Sequence, residues 1–149
     1  MRVVIQRVER CSVMVDDMVV SSIKRGFLVL LGVHGGDTEA DIDVLVRKCA
    51  GLRVFPDGNG RMNLAPADIQ GEFLVVSQFT LYGDVRKGLR PYFGDAAQPD
   101  VAERYYNLFM ARLRENGFTV KGGVFGAHMK VHLINDGPVT IIIDSREIA

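Results

Sequence analysis

Ser77-Gln78-Phe79-Thr80 and Asn135-Asp136-Gly137-Pro138-Val139-Thr140 are the stretches of this 149-residue sequence whose residue types could do chemistry together. The first ends the apolar run Glu72-Phe73-Leu74-Val75-Val76 and offers two hydroxyls and an amide within four residues. Such groups can hold a carbonyl or a ribose hydroxyl by hydrogen bonds. They serve equally to cap loose backbone at a strand end. A threonine hydroxyl such as that of Thr80 becomes a nucleophile only beside a base, and no His, Lys or carboxylate adjoins it in sequence. The second stretch joins Met129-Lys130-Val131-His132-Leu133-Ile134 to Val139-Thr140-Ile141-Ile142-Ile143 through an X-Pro bond. Such bonds are cis in only about 5–6% of cases in folded proteins, so the residues alone read as a trans turn.

The elements that must position these groups follow from periodicity. From Arg2 to Arg10 the chain alternates, placing Val3, Ile5 and Arg7 on one strand face and Val4, Gln6 and Val8 on the other. Arg7 is thereby carried on a face that otherwise looks inward, although an arginine at a strand edge more commonly snorkels to water. Ser12–Val15 and Met18–Ser21 flank Asp16-Asp17 as a hairpin, and Phe27–Val33 reads as a buried strand. Thr38, with Asp41 three residues on, opens a helix whose buried face is Ile42, Leu45, Val46 and Cys49, and Gly51 closes it. A second helix is predicted from about Pro99 to Asn116, with Val101, Tyr105, Leu108, Phe109 and Leu113 as its stripe and Gly117 as its cap. Between them lie the turn cluster Pro56-Asp57-Gly58-Asn59-Gly60 and short strands near 52–55 and 73–77. This order predicts one α+β domain over residues 1–149, its strands curled into a partly closed sheet or barrel with two main helices packed outside.

Composition narrows the function. Eighteen basic against eighteen acidic residues leave no net charge, which removes the global field of a generic nucleic-acid coat and confines any RNA contact to a local patch. Arg86, Lys87 and Arg90 follow the first motif, and Lys121 and Lys130 bracket a glycine-rich stretch, so a basic rim for phosphates and a plain solvated loop are both open. Cys11 and Cys49 are too far apart for a metal knuckle or redox pair. His34, His128 and His132 have no ligand-like spacing, so neither a metal nor another cofactor is expected. The longest apolar stretch, from Phe27 to Leu31, falls well short of the roughly 20 residues a membrane helix needs. With no signal-like layout at the start of the sequence either, the expected compartment is the cytoplasm.

Taken with Met1-Arg2-Val3-Val4-Ile5-Gln6-Arg7-Val8, Phe27–Val33, Met62-Asn63-Leu64, Arg86-Lys87-Gly88 and Gly123-Val124-Phe125-Gly126-Ala127, the two motifs resemble those of the D-aminoacyl-tRNA deacylases. These proofreading hydrolases remove D-amino acids from the 3′ end of tRNA, and the resemblance runs over essentially the whole chain. It departs at His128, where the family pattern carries an acidic residue before Met129. The resemblance implies hydrolysis of D-aminoacyl-tRNA, and of achiral glycyl-tRNA, with Ser77, Gln78, Phe79 and Thr80 in the catalytic site. It implies a homodimer in which a cis Gly137-Pro138 enters the partner's site, holds the substrate ammonium with its carbonyls and leaves no space for an L side chain. Arg7 would then support the Gly137-Pro138 segment with its planar fork, and Phe125 and Met129 would line the adenosine or aminoacyl pocket, although both residue types are more often plain core. Whether Thr80 attacks or only assists stays open, with the terminal 2′-hydroxyl and a positioned water as the alternative. The competing readings are an RNA- or DNA-binding module without chemistry and an editing unit that works only beside a synthetase.

Overall fold

The structure, a computed structural model, describes residues 1–148. Asp16 and Asp17 both take up left-handed backbone (φ 49° and 63°), the conformation of a two-residue hairpin turn, and so fold β1 (Arg2–Val15) back onto β2 (Met18–Ile23). The chain continues through β3 (Gly26–Gly32), α1 (Glu39–Gly51), β4 (Phe55–Pro56), β5 (Met62–Leu64), β6 (Glu72–Ser77), α2 (Pro99–Glu115), β7 (Val120–Gly122) and β8 (Lys130–Asp144). The main sheet runs β2-β1-β3-β6-β7, with β8 along the other edge of β1. The pairs made by β1 are antiparallel, whereas β3, β6 and β7 are mutually parallel. The short β4–β5 hairpin stands apart from this sheet.

Alternation splits the apolar residues of β3 and β6 between two cores. Phe27, Val29, Leu31, Phe73 and Val75 point toward the helices, while Leu28, Leu74 and Val76 face the opposite way with Val8, Cys11, Val13 and Ile23. Burial on both faces explains why these strands read as unbroken apolar runs. The second core lies inside a curl that returns β2 against β6 and β7, where Ser21 Oγ donates to the Gly122 carbonyl (2.7 Å) and Lys121 Nζ to that of Ser22 (2.8 Å). The two helices and the nearly closed sheet match the architecture expected from the sequence.

Two sequence expectations are adjusted. The strands at Arg2–Arg10 and Ser12–Val15 are a single strand, and its pairing with β8 slips around Arg7 and Glu9. The slip moves Cys11 and Val13 into the inner core, the core on the face opposite Val3 and Ile5. On α2 the buried stripe is Ala102, Tyr105, Tyr106, Phe109, Met110 and Leu113, with Val101 and Leu108 only half-buried at its margin. A helix that packs against a sheet and a second helix buries a wider arc than a single stripe of i, i+3, i+4 residues describes. For α1 the expected face is the buried one, and the Asp41 carboxylate accepts the Thr38 N–H at 2.8 Å. Burial pushes the Cys11 thiol up to about 11 and that of Cys49 to about 12, so both stay protonated and inert.

One buried charge pair has no sequence signature. The Met1 ammonium meets Asp37 Oδ1 at 2.6 Å and Ser145 Oγ at 2.8 Å, with both ionic groups essentially sealed from solvent. Removing one member of such a pair leaves the other charged and desolvated. Asp37→Ala is therefore expected to cost about 3–5 kcal/mol, read as a lower denaturation midpoint at unchanged slope.

Candidate active site

The carboxyl ends of the parallel strands β3 and β6 open onto a cavity of about 570 Å³. Crevices outside the carboxyl ends of parallel strands are where open sheets place ligands. Ser77, the last residue of β6, lines it half-buried, and Gln78 and Phe79 continue the wall. Phe125, His128 and Met129 form the opposite wall. The third wall, from Phe93 to Ala102 at the start of α2, escaped sequence reasoning. It is tied to the end of β3 by Ala97 N–H to the Val33 carbonyl (2.9 Å) and Gly35 N–H to the Asp95 carbonyl (3.0 Å). Its only advance signal was the run of small residues Gly94-Asp95-Ala96-Ala97 before a helix-starting Pro99.

After Ser77 the chain leaves the sheet in one turn of 3-10 helix, Phe79–Tyr82. Gln78 N–H still bonds the Leu31 carbonyl at 2.8 Å, and the Gln78 carbonyl accepts Leu81 N–H at 3.3 Å. The N–H groups of Phe79 and Thr80, at the start of the turn, find no acceptor among the described residues. A helix start always leaves such donors unpaired, and here they stand at the mouth of the cavity. The Gln78 side-chain amide donates to Thr80 Oγ1. Thr80 itself is exposed on the rim and does not line the cavity. Phe79 is 55% exposed and meets Phe93 edge-on, their ring centroids 5.1 Å apart.

Two supports of this site were missed from sequence because their partners lie far along the chain. Arg2 donates to the Leu81 carbonyl (2.8 Å) and to Asp144 (3.0 Å), and its guanidinium lies 4.9 Å from the centre of the Tyr82 ring, so it fixes the far end of the turn. Burial, then the charges of Asp37 and Asp144, hold the Tyr82 phenol well above its usual range, which removes it as a base. Tyr106 on α2 donates to the Val75 carbonyl (2.8 Å) and accepts Gly123 N–H (3.1 Å), joining β6 to the Phe125 wall just upstream of Ser77. Gly122 allows this approach, since a Cβ there would stand 2.6 Å from the Tyr106 hydroxyl.

The cavity holds no acid–base machinery beyond His128. Ser77 Oγ has no hydrogen-bonded His or carboxylate, and no cluster of His, Cys, Asp or Glu among the described residues could bind a metal. Geometry of this kind suits an already activated ester, using backbone donors in place of a catalytic triad.

Gly137, Pro138 and Arg7 lie elsewhere. Gln6 pairs with Thr140 and Val8 with Asn135, so residues 136–139 bulge from β8 opposite Arg7. Arg7 Nε donates to the Asp136 carbonyl (3.0 Å) and Nη1 to that of Val54 (2.6 Å). Asn135 Oδ1 accepts Val139 N–H (3.0 Å), which braces the other side of the bulge. The Gly137–Pro138 peptide is cis, and both residues are exposed. Gly137 has φ +130°, and a Cβ there would meet Val139 Cγ2 at 2.8 Å and Arg7 Nη2 at 3.0 Å. Ser77 lies opposite Leu31 whereas Arg7 lies opposite Phe27, four residues back along β3. That separation is about 13 Å along the sheet, and neither Gly137 nor Pro138 lines the cavity.

Comparison with known proteins bears on the whole chain. Residues 4–144 match the family described as "D-Tyr-tRNA(Tyr) deacylase". A "D-aminoacyl-tRNA deacylase" of Thermotoga petrophila is 54% identical over 148 residues, 99% of each chain. One from Desulfitobacterium hafniense is 54% identical over 147 residues, again 99% of each chain. A solved structure described as "c-Myc DNA Unwinding Element Binding Protein" superposes with a TM-score of 0.92 at 44% identity, covering 97% of this chain and 98% of its own. At 19% identity, a probable eukaryotic D-amino acid tRNA deacylase shares the fold, with a TM-score of 0.82. With one family spanning nearly every element from β1 to the end of β8, the chain belongs to the D-Tyr-tRNA(Tyr) deacylase family.

Proposed function

We propose that this protein hydrolyses the ester of D-aminoacyl-tRNA, releasing tRNA and free amino acid, and that glycyl-tRNA is also a substrate. The observation that carries the reading is the cavity mouth, where the unpaired N–H groups of Phe79 and Thr80 adjoin Ser77 and Gln78 with no catalytic triad. Those donors can receive the negative charge that develops on the ester carbonyl oxygen. Water adds its oxygen to the acyl carbon, the bond to the ribose 3′-oxygen breaks, and that oxygen takes a proton. The neighbouring 2′-hydroxyl relays the proton in place of a protein base.

Chirality enters through a second subunit. Gly137 and Pro138 project from a braced bulge about 13 Å along the sheet from Ser77, too far to act on the same protomer's cavity. Among the described residues nothing pairs with the outer edge of β8, a strand of 15 residues on which Ile142 is 67% exposed, a surface suited to self-association. In the dimer the carbonyls of Gly137 and Pro138 hold the substrate ammonium, and their backbone occupies the space an L side chain would need.

The name of the 44%-identical structure keeps a DNA-binding reading in view, but a net charge of zero gives no general field for it. The test is ester loss from D-tyrosyl-tRNA and L-tyrosyl-tRNA with the purified protein. Rapid cleavage of the D form alone is expected; tight nucleic-acid binding with both esters intact would favour the binding module.

A further inference from the structure

The loop between the 3-10 turn and α2 carries cations to which the proposed reaction gives no part. Asp84 and Tyr92 exchange backbone hydrogen bonds of 2.8 and 2.9 Å, which pin a projecting loop with residues 85–91 at its tip. Within it Arg86 is spent on Asp84: its Nη2 donates to Oδ2 at 2.7 Å, and this pairing holds the Asp84 carboxyl down at about 2. Lys87 and Arg90 are exposed and enter no hydrogen bond or ion pair among the described residues. Leu89 is 100% exposed and Tyr92 69%. The next residue, Phe93, is at once a wall of the cavity and the ring that meets Phe79.

Two unpaired cations and an exposed aromatic ring on a pinned loop form the combination that binds single-stranded nucleic acid, the charges on phosphates and the ring on a base. Reach agrees. Arg90 is three residues from Phe93, at most about 10 Å of chain, which spans two to three stacked nucleotides at about 3.4 Å each. We propose that this loop grips the single-stranded 3′ end of the RNA just before the aminoacylated nucleotide, with Lys87 and Arg90 on phosphates and Tyr92 stacked on a base. The proposal rests on the deacylase reading and assigns that reaction a local RNA contact in a chain with no net charge.

The test measures D-aminoacyl-tRNA hydrolysis across a salt series with the full chain. For the Lys87→Ala/Arg90→Ala double variant, KM should rise about tenfold with kcat held within about twofold. The slope of log kcat/KM against log salt should become shallower by about 1.4, two single-strand phosphate contacts at about 0.7 each. Tyr92→Leu should raise KM several-fold without changing the slope, and Lys48→Ala, an exposed cation on α1, should change neither. On 3′-O-D-aminoacyl adenosine, which has no RNA beyond the nucleoside, the double variant should match the wild type. An unchanged KM and salt slope, or an equal defect on the adenosine ester, overturns the proposal. A wild type inert toward D-aminoacyl-tRNA overturns the deacylase reading itself, and that result precedes any substitution.

Discussion

Thr80→Ala is expected to keep measurable turnover of D-aminoacyl-tRNA, about 10²–10³-fold below the wild type, the usual loss for one transition-state donor. The Thr80 oxygen already accepts the Gln78 amide, which leaves its hydrogen to donate outward, and no His, Lys or carboxylate among the described residues is hydrogen-bonded to it. A hydroxyl so placed assists a developing oxyanion better than it attacks a carbonyl. An obligatory nucleophile would instead lose all activity on substitution, and single-turnover quenching of the wild type would trap a threonine ester. Substrate chemistry checks the same point from the other side. D-aminoacyl-tRNA ending in 2′-deoxyadenosine and charged on its 3′-hydroxyl lacks the relaying group, so the wild type should cleave it far more slowly. Equal rates on the two substrates would require a protein base.

Arg7→Met should lower the D-aminoacyl rate about 100-fold and shrink the ratio of D to L rates, although residue 7 lies four β3 positions from the Ser77 register. The arginine donates to the carbonyls of both Asp136 and Val54, so its loss frees one side of the bulge that carries Gly137 and Pro138. Displacement of positioning groups by about 1 Å is enough for such a loss. The stability cost is smaller, about 1–3 kcal/mol for the buried Val54 carbonyl left without its donor. Arg7→Lys keeps the charge without the fork and should recover little of the discrimination. Thermal melts run beside the kinetics separate the effects: a folded variant that still discriminates fully would remove Arg7 from the selection.

Much of the fold was legible because burial leaves a period in the sequence. Ile42, Leu45, Val46 and Cys49 mark α1, Asp16-Asp17 marks the first hairpin, and the alternation at Val3, Ile5 and Arg7 places the arginine on the inward face it occupies. The slip in β1 was not legible, because a bulge shows only in how a strand pairs with its neighbour. For the site, the residues alone left hydroxyls and amides that could equally cap a strand, and the family resemblance gave them roles. The supports stayed hidden: Arg2 and Leu81, Tyr106 and Gly123, and Met1 and Asp37 meet across 79, 17 and 36 residues, with no local pattern linking them.

The central claim is that each active site is shared between two chains, and co-expression of Thr80→Ala with Arg7→Met tests it most directly. One variant has a damaged cavity and an intact bulge, the other the reverse. If the bulge acts across the dimer, a heterodimer contains one site in which both parts are intact. Random pairing makes about half the dimers mixed, so the preparation should show about a quarter of wild-type activity, against about 1% or less for either variant alone. Activity no higher than the mean of the two variants would contradict the shared site.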